Sequence, residues 1–252
     1  MEELDFPAEW FHEPEANFLY VVWNSTGSPP ADGFVAVQHK VLFNASGTRA
    51  APVRGVSFVG LGVRDAAATY FEPHGLPSGG DWSLQRTGAL FFENAEAPLV
   101  AGCAFDRMDG IAVFLSGYVR AANVSYNSFA WTGETVLALW GYGDGGPVPG
   151  MGPDLTAGNQ PRGTFVGYNL AREIGIFQKQ SSFLFSAVAG LSTVVGNIAM
   201  NGPRAAINHN DGSLGGSLID SNLAFNFCRE TGDHGVINSW VCTLAMSQFR
   251  RP

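Results

Sequence analysis

Three side chains that can act together in a reaction lie within the stretch "NGPRAAINHNDGS", from Asn201 to Ser213. Arg204 is a permanent cation that can hold a carboxylate through two parallel hydrogen bonds. His209 can give or take a proton near neutral pH, and Asp211 can accept hydrogen bonds. The small apolar run between them is equally typical of a plain strand with its turns. The role of these residues therefore depends on the elements that position them.

Those elements are repeats. Short apolar runs recur along the chain with a period of about 25 residues, and each ends at an anchor residue, namely Cys103, Asn127, Asn169, Asn197 and Asn222. A second short run follows each anchor, and an earlier copy lies near Val56. Two segments rich in Gly, Pro and Asp, 72–88 and 141–163, indicate loops inserted into the period.

This pattern predicts an all-β chain folded as a right-handed parallel β-helix, a solenoid with coils of about 22–28 residues. A leucine-rich repeat would need its leucine scaffold, and a propeller would need longer alternating strands. In a parallel stack, one turn position lies directly above its copy, so the recurring asparagines should form an inward-facing ladder. We expect a single domain over 1–252, with an N-terminal cap at 1–33, coils at 34–240 and a tail at 241–252.

Composition restricts the partners. The net charge of −8 and the lack of a Lys/Arg cluster argue against nucleic acid and anionic membranes, and no apolar run is long enough to cross a bilayer. Sequons at Asn24, Asn44 and Asn123 suit a secreted or extracellular glycoprotein, although the first residues lack the pattern of a secretory signal. Cys103 should be a buried hydrophobe, whereas Cys228 and Cys242 could pair.

The repeated coils and the asparagine ladder resemble the pectate-lyase-like superfamily of right-handed parallel β-helix proteins over roughly residues 34 to 240. Three segments, "IGIFQKQSSF", "NGPRAAINHNDG" and "CRETGDHGVINSW", are similar to a group of uncharacterised eukaryotic β-helix proteins. The superfamily includes polysaccharide lyases, mannuronan epimerases and glycoside hydrolases. The resemblance therefore implies a polysaccharide or glycan as the partner, although the fold alone does not fix an activity.

Charged residues follow the anchors at similar offsets, which predicts one charged face on the stacked coils. Reaction on a uronic acid polymer needs a cation for the carboxylate, a base for the ring proton and an acid for the leaving oxygen. We assign Lys179 as the base, Arg204 as the carboxylate clamp, and His209, or alternatively His234, as the acid. The remaining residues of the face are expected to bind substrate: Arg172, Asp211, Arg229, Glu230, Asp233 and His234.

Two functions stay open. The first is a lyase or epimerase acting on an acidic polysaccharide, which an exposed cluster of Lys179, Arg204 and His209 would support. The second is a non-catalytic β-helix module that binds glycan or protein along one face, which pairing of those residues with Glu or Asp would support. No cofactor and no metal are expected. Calcium between stacked carboxylates is a weaker alternative, and so is sugar stacking on tryptophan. The residues concerned are Asp109, Glu134 and Glu173 for calcium, and Trp131, Trp140 and Trp240 for sugar.

Overall fold

The computed structural model describes residues 4–24, 26–75, 82, 84–143, 156–210, 214–240 and 248–249. These residues form strands and turns, and none of them belongs to a helix that could cross a membrane. The chain divides into two units, Met1–Ala36 and Val37–Pro252. In the first unit, β1 (Trp10–Glu13) pairs with β2 (Phe18–Val21) in an antiparallel hairpin. The N-terminal cap predicted for this region stays a prediction.

The second unit is a parallel β-helix, because the chain passes repeatedly through three parallel sheets in the same order. Sheet I contains β3 (Phe43–Ser46), β4 (Val53–Arg54), β7 (Leu90–Glu96), β10 (Val113–Arg120), β13 (Leu137–Trp140), β16 (Leu184–Ala187), β19 (Ile207–Asn210) and β22 (Ile237–Trp240). Sheet II contains β5 (Ser57–Val59), β8 (Leu99–Ala101), β11 (Asn123–Ser125), β14 (Phe165–Gly167), β17 (Thr193–Val195), β20 (Leu218–Asp220) and β23 (Gln248–Phe249). Sheet III contains β6 (Gly62–Ala66), β9 (Ala104–Met108), β12 (Ser128–Thr132), β15 (Leu170–Ile174), β18 (Ile198–Met200) and β21 (Leu223–Phe225).

The registers confirm the predicted parallel β-helix, whose handedness stays a prediction. In sheet I, Leu90 pairs with Val113 and Val113 pairs with Leu137, so successive coils lie in register. The predicted insertions fall between β6 and β7 and between β13 and β14, at corners between sheets. The segment predicted as a tail contributes β23, which pairs with β20 and extends sheet II.

Apolar side chains from all three sheets fill the interior of the coils. Leu90, Val100 and Phe105 represent the three sheets in this core. Phe105 and Phe129 stack from neighbouring coils with ring centroids 4.6 Å apart. Burial of this surface is the main favourable contribution to folding. Cys103 lies in the same core, as the sequence predicted.

The asparagine ladder is confirmed at the corner between sheets II and III. Asn127, Asn169, Asn197 and Asn222 stack in one column, and each accepts a hydrogen bond from a backbone N–H of the neighbouring coil at 2.9–3.0 Å. Their side-chain amides also donate to backbone carbonyls, such as that of Val124. These asparagines therefore satisfy buried backbone groups at a corner where the sheet ladders are interrupted.

Candidate functional site

Lys179 lies in the turn between β15 and β16, and its ammonium group donates two hydrogen bonds. Its Nζ donates to the carbonyl oxygen of Ile176 at 2.9 Å and to Glu230 Oε1 at 3.0 Å. Glu230 comes from the segment between β21 and β22, two coils along the solenoid. An ammonium group that donates to a carboxylate and a backbone carbonyl is an ion-pair partner and not a free base. Its predicted role as a base is therefore not favoured by this geometry.

Arg204 does not have the exposure that a carboxylate clamp requires, because only 5% of the residue is accessible. Its guanidinium donates from Nε to His234 Nδ1 at 2.9 Å and from NH2 to Asp233 Oδ2 at 3.0 Å. The same group lies 5.1 Å from the centre of the Trp82 ring, on which His234 also stacks. Arg204 thus attaches the inserted segment after β21 to the preceding coil, which is a structural role.

His209 likewise lacks the exposure that an acid in a substrate groove requires, because it is buried. Side chains alternate along a strand, and His209 shares the inward face of β19 with the core residue Ile207. Its neighbours in the same column are Ser186 and, one coil further, Leu139. Burial lowers the pKa of His209 to about 4, so the ring is neutral at physiological pH. A side chain inside the solenoid cannot act as an acid on a bound polymer.

The predicted binding residues do not form one exposed stripe. Arg172, Arg229, Glu230 and Asp233 are exposed, whereas His234 is partly buried. Arg172 lies on the outer face of sheet III, away from the corner that holds the other members of the set. Asp211 and Cys242 lie outside the described residues, and so does the side chain of Trp240.

A groove of about 400 Å³ lies instead at the corner where sheet III ends. Three successive coils line it with the residues Asp106, Arg107, Asp109, Trp131, Ile176 and Phe177. The upper wall is fixed by backbone, because the N–H groups of Ile176 and Phe177 donate to the carbonyls of Thr132 and Gly133 at 3.0 Å. The groove therefore combines carboxylates and aromatic rings on a rigid frame.

Trp131 lies in this groove with its backbone in the left-handed region, at φ 58°. That conformation is rare for a bulky residue, since its Cβ crowds the following carbonyl. The same corner holds a column of left-handed residues from successive coils, namely Asp65, Arg107, Trp131, Glu173, Asn201 and Asn226. Trp131 is the single aromatic residue among them and is 48% exposed. A costly backbone conformation that presents a large apolar ring to solvent is typical of a binding site.

Carboxylates give the groove its electrostatic character. Arg107 donates to Asp65 at 2.8 Å and to Asp106 at 2.6 Å, so its charge is shared by two acids. Partial burial, followed by the charge of Asp65, raises the pKa of Asp109. Its carboxyl therefore binds a proton more readily than an exposed aspartate does. The lining residues carry an excess of negative charge.

A buried carboxyl group lies near the groove. Glu134 is 1% exposed, and its Oε2 accepts a hydrogen bond from the Thr69 hydroxyl at 2.9 Å. Burial raises its pKa to about 7. Burial also raises the pKa of Tyr70, and the neighbouring charges of Asp109 and Glu134 add to that effect. The ring of Tyr70 packs against that of Phe177 in the groove wall, with the ring centroids 5.8 Å apart.

The sequence suggested parts of this groove but not the whole. Trp131, Asp109 and Glu134 were considered separately, for sugar stacking and for calcium. Within the described part of the chain, no three His, Cys, Asp or Glu residues come together to hold a metal ion. Phe177 was not foreseen, and the one available signal was its place in "EIGIFQ", directly after a strand. Glu173 does not join Asp109, because it accepts a hydrogen bond from Asn201 at 2.5 Å.

A second cluster covers the outer face of sheet I. Arg86 is sandwiched between the rings of Trp140 and Tyr142, each about 4.0 Å from its guanidinium carbon. It donates to Ser116 Oγ at 3.0 Å and to the Trp140 carbonyl at 2.7 Å. Burial lowers the pKa of Arg86 to about 10, which leaves it charged at neutral pH. Arg86 is enclosed by its own partners, so we assign it to packing of the inserted loop.

Comparison with known proteins gives one informative match. No family model and no curated protein matches the sequence. A solved structure named "Glycoside hydrolase" superposes with a TM-score of 0.78 over 94% of this chain, at 13% identity. The chain spans 46% of that protein's length. At this identity the likeness shows a shared fold alone, and the similarity to a eukaryotic β-helix group stays a prediction.

Proposed function

We propose that the protein is a carbohydrate-active β-helix protein that binds a neutral glycan in the groove at the end of sheet III. The exposed ring of Trp131, held at φ 58° in the groove wall, carries this proposal. The C–H face of a pyranose packs well on an indole ring, because both surfaces are flat and apolar. Asp106 and Asp109 supply carboxylate oxygens that accept hydrogen bonds from sugar hydroxyls. The glycoside hydrolase structure of similar fold supports a carbohydrate ligand.

Charge favours a neutral ligand over a uronic acid polymer. Two carboxylates, Asp106 and Asp109, line the groove against one cation, Arg107, and the whole chain carries a net charge of −8. An anionic polymer would be repelled by such a surface. Lys179 and Arg204, which could neutralise a uronate, are paired with Glu230 and Asp233. Elimination or epimerisation of an acidic polysaccharide is therefore the less favoured function.

Hydrolysis is a second candidate, which the raised pKa of Asp109 supports. A glycosidase needs one carboxyl group that is protonated at working pH to donate to the leaving oxygen, and a second, ionised carboxylate nearby. Asp109 would be the acid, and Asp106, three residues earlier on the same coil, would be the second carboxylate. Glu134 is fully buried and cannot touch the sugar.

Glycan binding is tested by calorimetry with soluble β-glucan, mannan and xylan, and with alginate and polygalacturonate as anionic probes. We expect at least one neutral polymer to bind, and Trp131→Ala to weaken that binding tenfold or more while Trp131→Phe retains most of it. Trp10→Ala is the matched control, because Trp10 is 66% exposed but belongs to the N-terminal unit. Binding of the anionic polymers alone, or equal binding by Trp131→Ala, would contradict the proposal. Release of reducing ends that stops in Asp109→Asn would establish hydrolysis.

A further inference from the structure

A pair of stacked aromatic residues lies at the opposite end of the strand that carries Trp131. Tyr126 and Tyr168 occupy the corner between sheets II and III, just before β12 and β15. Their rings stack 5.0 Å apart at 18°, and they are 64% and 48% exposed. Both backbones lie in the left-handed region at φ 58°, as the backbone of Trp131 does.

The other coils show that this corner does not need tyrosine. The equivalent left-handed positions are Gly60, Gly102 and Gly196, at φ 67°, 62° and 65°, and Ser221 at φ 53°. Glycine adopts this conformation without steric cost, whereas tyrosine does not. At this corner the other coils use glycine or serine, whereas two successive coils place tyrosine rings outside the core, 64% and 48% exposed. The two rings stack on each other and Tyr168 also lies over Gly196 of the next coil, so they form a fixed aromatic surface on which a flat ligand can lie.

The surface between the tyrosines and Trp131 is formed by β12 and the strands beside it. Ser128 and Ala130 are the outward-facing residues of β12, and Phe129 between them points into the core. In register with Ala130 are Asp106 on one neighbouring strand and Arg172 on the other. A small floor residue thus has a carboxylate on one side and an exposed guanidinium on the other. Sugar hydroxyls can both donate to the first and accept from the second.

We propose that this surface is one extended subsite array, in which a polysaccharide chain lies along β12 and stacks on Trp131 at one end and on Tyr126 and Tyr168 at the other. Five residue steps separate Tyr126 from Trp131, and because the chain turns at Asn127 they span at most about 16 Å. That distance suits an oligosaccharide and is too long for a single sugar ring. The array rests on the proposed glycan groove and continues it. In this array Arg172, on the outer face of sheet III, would bind the polysaccharide.

The length of the ligand tests this array. Binding of β-1,4-linked gluco-, manno- and xylo-oligosaccharides, from disaccharide to hexasaccharide, is measured by calorimetry. In the wild type, the affinity should rise at least tenfold from disaccharide to hexasaccharide. The double variant Tyr126→Gly/Tyr168→Gly should lose that rise while it binds the disaccharide as before. Glycine is the residue that neighbouring coils use at this corner, so the variant should keep its fold, which thermal melting checks.

Two controls separate this inference from the proposed function. Leu191→Ala changes another exposed residue with a left-handed backbone, at φ 56°, and should leave every affinity unchanged. Trp131→Ala should weaken binding of short and long ligands alike. If the tyrosine variant keeps the full rise with length, the extended array is wrong and the groove proposal stands. If no oligosaccharide binds the wild type, or Trp131→Ala binds normally, both proposals are overturned.

Discussion

Asn169 donates two hydrogen bonds to one oxygen of Asn197 in the neighbouring coil. Its backbone N–H lies 3.0 Å and its side-chain amide 2.9 Å from Asn197 Oδ1. Asn197 in turn donates to the Val166 carbonyl at 2.9 Å and to Asn222 Oδ1 at 2.8 Å. A single buried amide therefore satisfies groups on both neighbouring coils, and its loss would leave several of them without partners.

Replacing Asn197 by leucine should lower the free energy of unfolding by about 1 to 3 kcal/mol, the cost of leaving buried polar groups unpaired. Urea denaturation followed by circular dichroism measures the change. Asn44→Leu is the control, because Asn44 is exposed on β3 and its replacement should change stability by about 0.5 kcal/mol or less. Equal stability of the wild type and Asn197→Leu would show that the ladder contributes nothing to folding.

Arg204→Ala should destabilise the fold without changing glycan binding. The buried guanidinium bonds Asp233 and His234, and truncation leaves a cavity beside Trp82. Because Asp233 is largely exposed, we expect a loss of about 2 to 4 kcal/mol, toward the lower part of the range for broken buried pairs. Thermal and urea unfolding measure it, with Arg229→Ala as the exposed control. Lost binding at unchanged stability would instead restore Arg204 to the functional site.

The sequence predicted the solenoid and the ladder because both depend on residues that recur at one position of the repeat. Asn127 and Asn169 could be aligned without knowing the structure of any loop. The charged site could not be predicted in the same way, since the Lys179–Glu230 contact depends on the lengths of the turns between β15 and β22. The burial of His209 was available from the sequence, because Ile207 lies two residues earlier on the strand and shares its face.

The groove could not be predicted from residue types, because it depends on a backbone conformation that they do not reveal. Trp131 is exposed in a left-handed backbone conformation, which tryptophan seldom adopts. Sequence reasoning therefore assigns such a residue to packing by default. Likewise, Asp109 and Glu134 occur at different offsets from the ladder, which hid their common position beside Tyr70.

His209→Leu should remove part of the loss of stability in acid. The pKa of His209 falls from 6.5 in the unfolded chain to about 4 in the fold, so the unfolded chain binds the proton more readily. Stability is therefore lost as the pH falls from 6.5 to 4, by up to about 3 kcal/mol at roughly 1.4 kcal/mol per pKa unit. Urea unfolding at pH 4.5, 6 and 7.5 gives the slope, which should become less steep in the variant. Glycan binding should be unchanged, and a strong loss of binding would return His209 to the site.

Glu134→Gln should change the pH dependence of the free energy of unfolding in the opposite direction. The pKa of Glu134 rises from 4.5 in the unfolded chain to about 7 in the fold, so the folded protein holds the proton more tightly. Its contribution to stability is full below pH 4.5 and is lost as the pH rises through 7. At roughly 1.4 kcal/mol per pKa unit, the loss approaches about 3 kcal/mol by pH 8.

Glutamine is neutral and can still accept the hydrogen bond from Thr69, so Glu134→Gln should match the wild type near pH 4.5 and exceed its stability at pH 8. Urea unfolding at both pH values measures the difference, and Glu15→Gln, a change at an exposed carboxylate, should leave the curve unaltered. His209 and Glu134 change the free energy of unfolding with opposite signs over overlapping pH ranges, so their effects partly cancel in the wild type. In each variant, the pH dependence that remains should be that of the other residue. Identical pH profiles for the wild type and Glu134→Gln would mean that the buried carboxyl is ionised in the fold and that its charge is compensated there.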